Sequence, residues 1–206
     1  MITQAAYLFQ FKKLNMITTT QIDSNAADSL FRMLDHEGKN SIDPDKFLRQ
    51  LSGAGILQDD PRIRELLAWP QFRQQITKGN QIAKTEFNEI LQQNALVKKS
   101  LSKNLVIPDF EVFCQQIQDI FLDTQRNKGG KVADYIPQLA RVDPEQFAIS
   151  ICTVDGQRYS IGDSSTDFCL QSSCKPINYC LALEELGEEK VHTHVGREPS
   201  GQSFNE

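Results

Sequence analysis

Three features of the sequence predict an α+β protein built in two parts. Residues 24–100 carry apolar side chains at helical spacing, and the pattern repeats after 40 residues. Farther on, Phe147-Ala148-Ile149-Ser150-Ile151-Cys152-Thr153-Val154 reads as a strand that ends in Asp155-Gly156, a hairpin signal. Between that hairpin and a helical run stands Ser172-Ser173-Cys174-Lys175, an S-x-x-K arrangement. The expected architecture is an all-helical first half, 24–100, followed by a mixed second half, 101–206, with an N-terminal extension over 1–23.

The helical half justifies itself in order. A first unit runs from about Ala26 to Leu51, with Leu30, Phe31, Leu34, Ile42, Phe47, Leu48 and Leu51 as its apolar positions. A shift of 40 residues carries Ile42 onto Ile82, Phe47 onto Phe87 and Leu51 onto Leu91. The loop from Asp35 to Lys46 has the length and central isoleucine of an EF-hand loop. It lacks the calcium chemistry, because its sixth position is Asn40 rather than glycine and its twelfth is Lys46 rather than a bidentate glutamate. The equivalent loop, Gln75 to Glu86, keeps Glu86 but offers Gln75, Thr77 and Gly79 where oxygen ligands, mostly carboxylates, are wanted. The pair is therefore expected to be EF-hand-like but not calcium-binding. Asp43-Pro44 and Asp60-Pro61 each supply an N-cap followed by a proline at the first helical position. Ser52-Gly53 and Gly55 close the preceding helix. Ile63, Leu66 and Leu67 form one apolar face, and Trp69 is expected in the core or an interface. The basic stretch Lys98-Lys99-Ser100-Leu101-Ser102-Lys103 reads as the linker between the halves.

In the second half, Phe110, Phe113, Cys114, Ile117, Ile120 and Phe121 follow helical spacing, and Arg126-Asn127-Lys128-Gly129-Gly130 ends that helix. The return strand of the hairpin covers about Gln157–Ile161. A helix is expected to start near Ser172, carry Ile177, Cys180, Leu181 and Leu183 inward, and stop at Gly187. A two-stranded hairpin is marginal by itself. The face that should cover this helix needs further strands, so the second half is expected to be poorly closed.

S-x-x-K can turn a serine into a nucleophile without a histidine. On a helix, Ser172 and Lys175 share a face one turn apart. The hydroxyl needs an adjacent base, and a lysine serves if burial or nearby cations make its charged form costly. Backbone N–H groups at the helix start can bind a developing oxyanion. Ser173 has Pro176 three residues on, which leaves Ser172 as the candidate nucleophile. The bare spacing is common, and a solvated helix start explains it equally.

The surrounding blocks carry more. Gly129-Gly130-Lys131-Val132-Ala133-Asp134-Tyr135-Ile136-Pro137-Gln138-Leu139-Ala140, then Cys152-Thr153-Val154-Asp155-Gly156-Gln157-Arg158, Phe168-Cys169-Leu170-Gln171-Ser172 with Lys175-Pro176, and Val195-Gly196-Arg197-Glu198-Pro199-Ser200-Gly201 with Phe204-Asn205 resemble the glutaminase catalytic domain in order and approximate spacing. Leu105-Val106-Ile107-Pro108-Asp109-Phe110 resembles the junction used by the animal, phosphate-activated (kidney- and liver-type) branch. The resemblance covers roughly residues 24–206. It implies hydrolysis of L-glutamine to L-glutamate and ammonia on a serine-β-lactamase-like (transpeptidase-like) fold. It casts Ser172 as nucleophile, Lys175 as its base, Tyr135 as reaching nucleophile and substrate, and Gln171 as a substrate contact. Read without the family, Tyr135 is a core or interface residue and Gln171 packs or bonds in the turn. The resemblance also implies no cofactor, inorganic phosphate as activator, and self-association to dimers and tetramers through the helical half. In the family the catalytic domain continues past the Pro-Ser-Gly block. A chain ending at Glu206 is therefore expected to be an N-terminal piece, lacking most substrate-holding residues and inactive by itself.

Composition fits these expectations. A net charge of −5 sets aside nucleic acid and anionic membrane surfaces as partners. No apolar run approaches the roughly 18 residues of a spanning helix. The five cysteines, Cys114, Cys152, Cys169, Cys174 and Cys180, are odd in number and lack metal-ligand spacing, so reduced, mostly buried thiols are expected. His192 and His194 alternate in a loop or strand without a third ligand, and no metal site is expected. The first 22 residues hold no Asp or Glu and carry Lys12 and Lys13, with Ile2, Ala5, Ala6 and Phe9 on one helical face. That stretch is similar to a mitochondrial transit peptide in its lack of acids but has no Arg or Ser. The alternatives are a disordered or alternatively started N-terminus, with Met16 as an internal start, in a cytoplasmic protein. Two other readings stay open: a different S-x-x-K acyl-transfer enzyme, and a non-catalytic oligomerising module that co-assembles with a full-length glutaminase.

Overall fold

The computed structural model describes residues 24–35, 38–70, 72–73 and 81–203. The proposed transit segment, the interior of the second loop and Phe204-Asn205 lie outside the described residues. The chain forms two compact units: residues up to Gly130 together with Gln146–Ser164, and Lys131–Glu145 together with the residues from Ser165 onward.

The first unit is built on the repeat. Helix α1 (Ser24–Leu34) buries Ala27, Phe31 and Leu34, spaced at i, i+4 and i+7. Strand β1 (Ser41–Ile42) leads into α2 (Pro44–Gly53), where Asp43 Oδ1 accepts from Asp45 N (3.0 Å) and Pro44 occupies the first turn. The helix closes with Gly55 N donating to Ser52 O (2.9 Å). Helix α3 (Pro61–Ala68) starts the same way, with Asp60 Oδ1 accepting from Arg62 N (2.9 Å), and it buries Ile63 and Leu66. Strand β2 (Ile82–Ala83) precedes α4 (Lys84–Gln93), whose Glu86 carboxylate accepts from Ala83 N (2.8 Å).

The 40-residue shift in sequence becomes a pairing in space. β1 and β2 run antiparallel with Ile42 opposite Ile82, and both isoleucines are fully buried. Phe47 meets Phe87 edge to face at 6.4 Å, Phe31 meets Phe87 at 5.6 Å, and Phe47 meets Phe72 at 5.9 Å. Leu51 and Leu91 lie in the same core, and Trp69 packs partly buried against it. In the first loop, Asp35 spends its carboxylate on the N–H groups of Lys39 (3.0 Å) and Asn40 (2.7 Å). Lys46 points its ammonium at Leu34 O (2.8 Å).

The expected linker is instead helix α5 (Ala95–Leu101). Asn94 caps it, accepting from Val97 N (3.0 Å) and donating to Arg62 O (3.1 Å), while Leu96, Val97, Ser100 and Leu101 are buried. The two lysines set the polarity of the stretch, but the apolar positions beside them already share one helical face.

Helix α6 (Phe110–Gln125) buries Phe110 and Phe121. The hairpin of β3 (Ala148–Cys152) and β4 (Arg158–Gly162) pairs Ala148 with Gly162 through to Cys152 with Arg158. Phe121 stacks on Phe147 at 4.9 Å beside the open end of the hairpin. Gly162 has φ 78°, and a Cβ there would lie 2.2 Å from Phe147 O and 2.8 Å from the Phe121 ring, so only glycine fits. The Asp155-Gly156 turn forms as expected, with Gly156 N donating to Thr153 O (2.9 Å).

The second unit contains α7 (Pro137–Ala140), a 3₁₀ turn at Gln171–Cys174, α8 (Lys175–Leu186) and α9 (Glu188–Val191). α8 fully buries none of its side chains. Leu181 and Leu183 are half-buried, whereas Ile177 and Cys180 are exposed. For this helix the open face that was expected is present. The structure also corrects the expectation for the thiols: Cys152, Cys169 and Cys180 are exposed, and Cys114 and Cys174 are half-buried. Among the described residues no helix is long and apolar enough to cross a membrane.

Candidate active site

The S-x-x-K segment does not open an α-helix at Ser172. Gln171 through Cys174 form a 3₁₀ turn, and α8 begins at Lys175. Pro176 explains the difference. An α-helix starting at Ser172 would need residue 176 to donate its N–H to Ser172 O, and proline has none. Ser172 O is taken instead by Lys175 N, the tighter i→i+3 bond. Three residues per turn still place Ser172 and Lys175 on one face, so the geometric premise of the motif survives.

Gln171 enters this turn at φ 50°, a left-handed conformation uncommon for a residue with a Cβ. Its side chain reaches back 36 residues in sequence, where Tyr135 Oη donates to Gln171 Oε1 at 3.2 Å. Tyr135 stands just before α7 and is 72% exposed among the described residues. The structure thus joins two of the four sequence-predicted residues directly and sets Ser172 next to one of them in the chain.

The neighbouring donors are satisfied locally. Ser173 Oγ donates to Leu170 O, Cys174 Sγ donates to Gln171 O (3.1 Å), and Asn178 Nδ2 donates to Cys174 Sγ (3.7 Å). Ser172 Oγ and Lys175 Nζ make no side-chain hydrogen bond among the described residues, and both side chains are exposed. Ser173, the competing hydroxyl, is occupied as a turn donor, whereas that of Ser172 is available. The burial that would make the charged lysine costly is not supplied by the described residues.

Two contacts fix the later block. His192 lies in the turn that follows α9, as the loop alternative expected, and serves as its C-cap: its Nδ1 lies 2.9 Å from Val195 O and its Nε2 3.1 Å from Tyr179 Oη. A carbonyl only accepts, so Nδ1–H is the donor to Val195 O. Arg197 pairs with Glu188, and that hydrogen bond holds the Glu188 carboxyl below its ordinary range. Among the described residues no group of three His, Cys, Asp or Glu side chains converges as a metal site. Within the first unit, a cleft of about 360 Å³ lies among Phe110, Glu111, Cys114, Arg158 and Tyr159 and contains none of the sequence-predicted residues. Burial and the nearby Glu111 push the Cys114 thiol up from its ordinary value. Sequence reasoning had no signal for the cleft, since its lining comes from three stretches far apart in the chain.

A glutaminase family model matches residues 130–206, and an EF-hand domain model matches residues 26–108. The liver isoform of mitochondrial glutaminase from Mus musculus is 39% identical over 171 residues, covering 82% of this chain and 28% of that protein. Putative glutaminase 3 from Caenorhabditis elegans is 38% identical over 184 residues, 86% of this chain and 32% of the relative. A glutaminase from Psychrobacter cryohalolentis is 54% identical over 87 residues, 42% of this chain and 27% of the relative. The chain belongs to the glutaminase family. It spans under a third of the length of these relatives.

Proposed function

We propose that this chain is part of an enzyme that hydrolyses the side-chain amide of L-glutamine to L-glutamate and ammonia. The observation that carries the reading is the Tyr135–Gln171 hydrogen bond beside Ser172, inside the segment matched by the glutaminase model. Ser172 Oγ attacks the amide carbon and passes its proton to the Lys175 amine. The tetrahedral intermediate collapses, the amide nitrogen takes the proton from Lys175, and ammonia leaves. Water activated by the same lysine then opens the acyl-enzyme and releases glutamate. Tyr135 and Gln171 hold the substrate at the nucleophile. The second unit takes a serine-β-lactamase-like fold when the rest of the catalytic domain is present. Inorganic phosphate activates the enzyme, no cofactor is needed, and the helical unit drives self-association. The protein resides in the mitochondrion, as the names of its liver-type relatives state for them.

The test is ammonia release from L-glutamine with phosphate present. It is run on the 206-residue chain and on a form continued over the full length of the relatives. Activity is expected in the continued form only, with a loss of at least 10³-fold in Ser172→Ala, the scale on which removing one member of such a catalytic unit acts. Activity that survives Ser172→Ala sinks the assignment of the nucleophile. A second reading, a non-catalytic module that joins full-length glutaminase, is favoured by the closed core of the first unit and gains if the continued form is silent.

A further inference from the structure

The tip of the β3–β4 hairpin is held by side chains and backbone of the helical part of the first unit. Gln157 is fully buried. Its Oε1 accepts from Ile107 N (3.0 Å), and its Nε2 donates to Ala54 O (3.0 Å) and to Ile107 O (2.9 Å). On one side, Asp155 Oδ2 accepts from Val106 N (2.8 Å), and Asp155 O accepts from Arg62 Nη2 (2.8 Å). On the other, Arg158 N donates to Gly55 O (2.8 Å). Gly156 sits at φ 94°, and a Cβ there would lie 2.4 Å from Arg62 Nη2, so the turn and its seat fit only with glycine.

The dependence between the two parts is one-sided. The core cluster runs from Ala27 to Leu105 and contains no hairpin residue. The hairpin has two strands whose side chains are half-buried or exposed, and such a hairpin is marginal alone. Its tip replaces water on backbone groups of Ala54, Gly55, Val106 and Ile107, and water can pair those groups again when the tip leaves.

We propose that the EF-hand-like body is an intramolecular docking receptor for the Asp155-Gly156-Gln157-Arg158 tip. The hairpin takes its order from that seat, and the body does not need the hairpin. In sequence the hairpin lies between the segment that carries Tyr135 and the segment that carries Gln171, Ser172 and Lys175. This gives the helical half a task separate from self-association.

Hydrogen exchange on the 206-residue chain tests the proposal. Gln157→Leu removes all three side-chain bonds, and Asp155→Ala removes the acceptor for Val106. In both variants the cross-strand amides of β3 and β4 are expected to exchange at least tenfold faster, while the amides of α2 and α4 keep wild-type protection. Gln157→Glu keeps shape and size but turns a carboxylate oxygen toward two carbonyls, and it is expected to release the hairpin as well. Unchanged hairpin protection in these variants overturns the docking role. Joint loss of protection in hairpin and body overturns the one-sided dependence.

Discussion

Asp59 and Asp60 are neighbours in the chain with different surroundings. Asp60 is 5% exposed and binds the Arg62 guanidinium through both oxygens, at 3.0 and 2.7 Å. Asp59 is half in water and pairs with Arg158, and the Arg158 hydrogen bond holds its carboxyl below the ordinary value. A carboxyl lowered in the folded state adds stability above its unfolded pKa and loses it as pH falls through the folded one. Asp59→Asn is therefore expected to lower stability at neutral pH, by at most about 1 kcal/mol because the pair is solvent-screened. The difference from wild type should close as pH falls below the ordinary carboxylate range, measured by urea unfolding across pH. At this scale the sequence was partly legible. Asp43 and Asp60 announced themselves as caps because each stands before a proline. Tyr135 and Gln171 were found through family resemblance, and their hydrogen bond was not foreseen. Gln157 was hidden, because a glutamine opening a strand reads as solvent-facing unless its distant backbone partners are known.

Elements obey local chemistry until a single residue redirects them. Pro176 moves the start of α8 from Ser172 to Lys175 by withholding one N–H. The stretch from Lys98 to Lys103 was misread because charge stood out over the cap at Asn94 and the apolar face of α5. Gly162 ends β4 where Phe147 O and the Phe121 ring leave no room for a methyl group. Gly162→Ala is expected to cost more than about 1 kcal/mol, since both the backbone angle and the space are wrong for alanine. Thermal unfolding followed by near-ultraviolet absorption of the aromatic rings would register the loss. A substitution without effect would mean that Phe121 and Phe147 do not stack as described.

The molecule as a whole divides its burial unevenly. The first unit owns nearly all the core, and its aromatic centre joins the two halves of the repeat through Phe47 and Phe87. Phe47→Ala and Phe87→Ala should each cost about 3–5 kcal/mol. Because the rings touch, the double variant should cost less than the sum, and urea melts of the three variants measure the difference. The repeat was legible because a packed core stamps its period on nearby sequence. The second unit was legible only as motifs, since its side chains have few buried partners among the described residues and leave little periodic trace. The first loop of the repeat has a wider consequence. Where an EF-hand sensor takes up a dissociable ion, this chain places the Lys46 ammonium against Leu34 O. A charge that is covalently attached cannot be withdrawn when the surrounding concentration falls. In this loop the positive charge is part of the chain itself, so its contact with Leu34 O does not come and go with the supply of an ion.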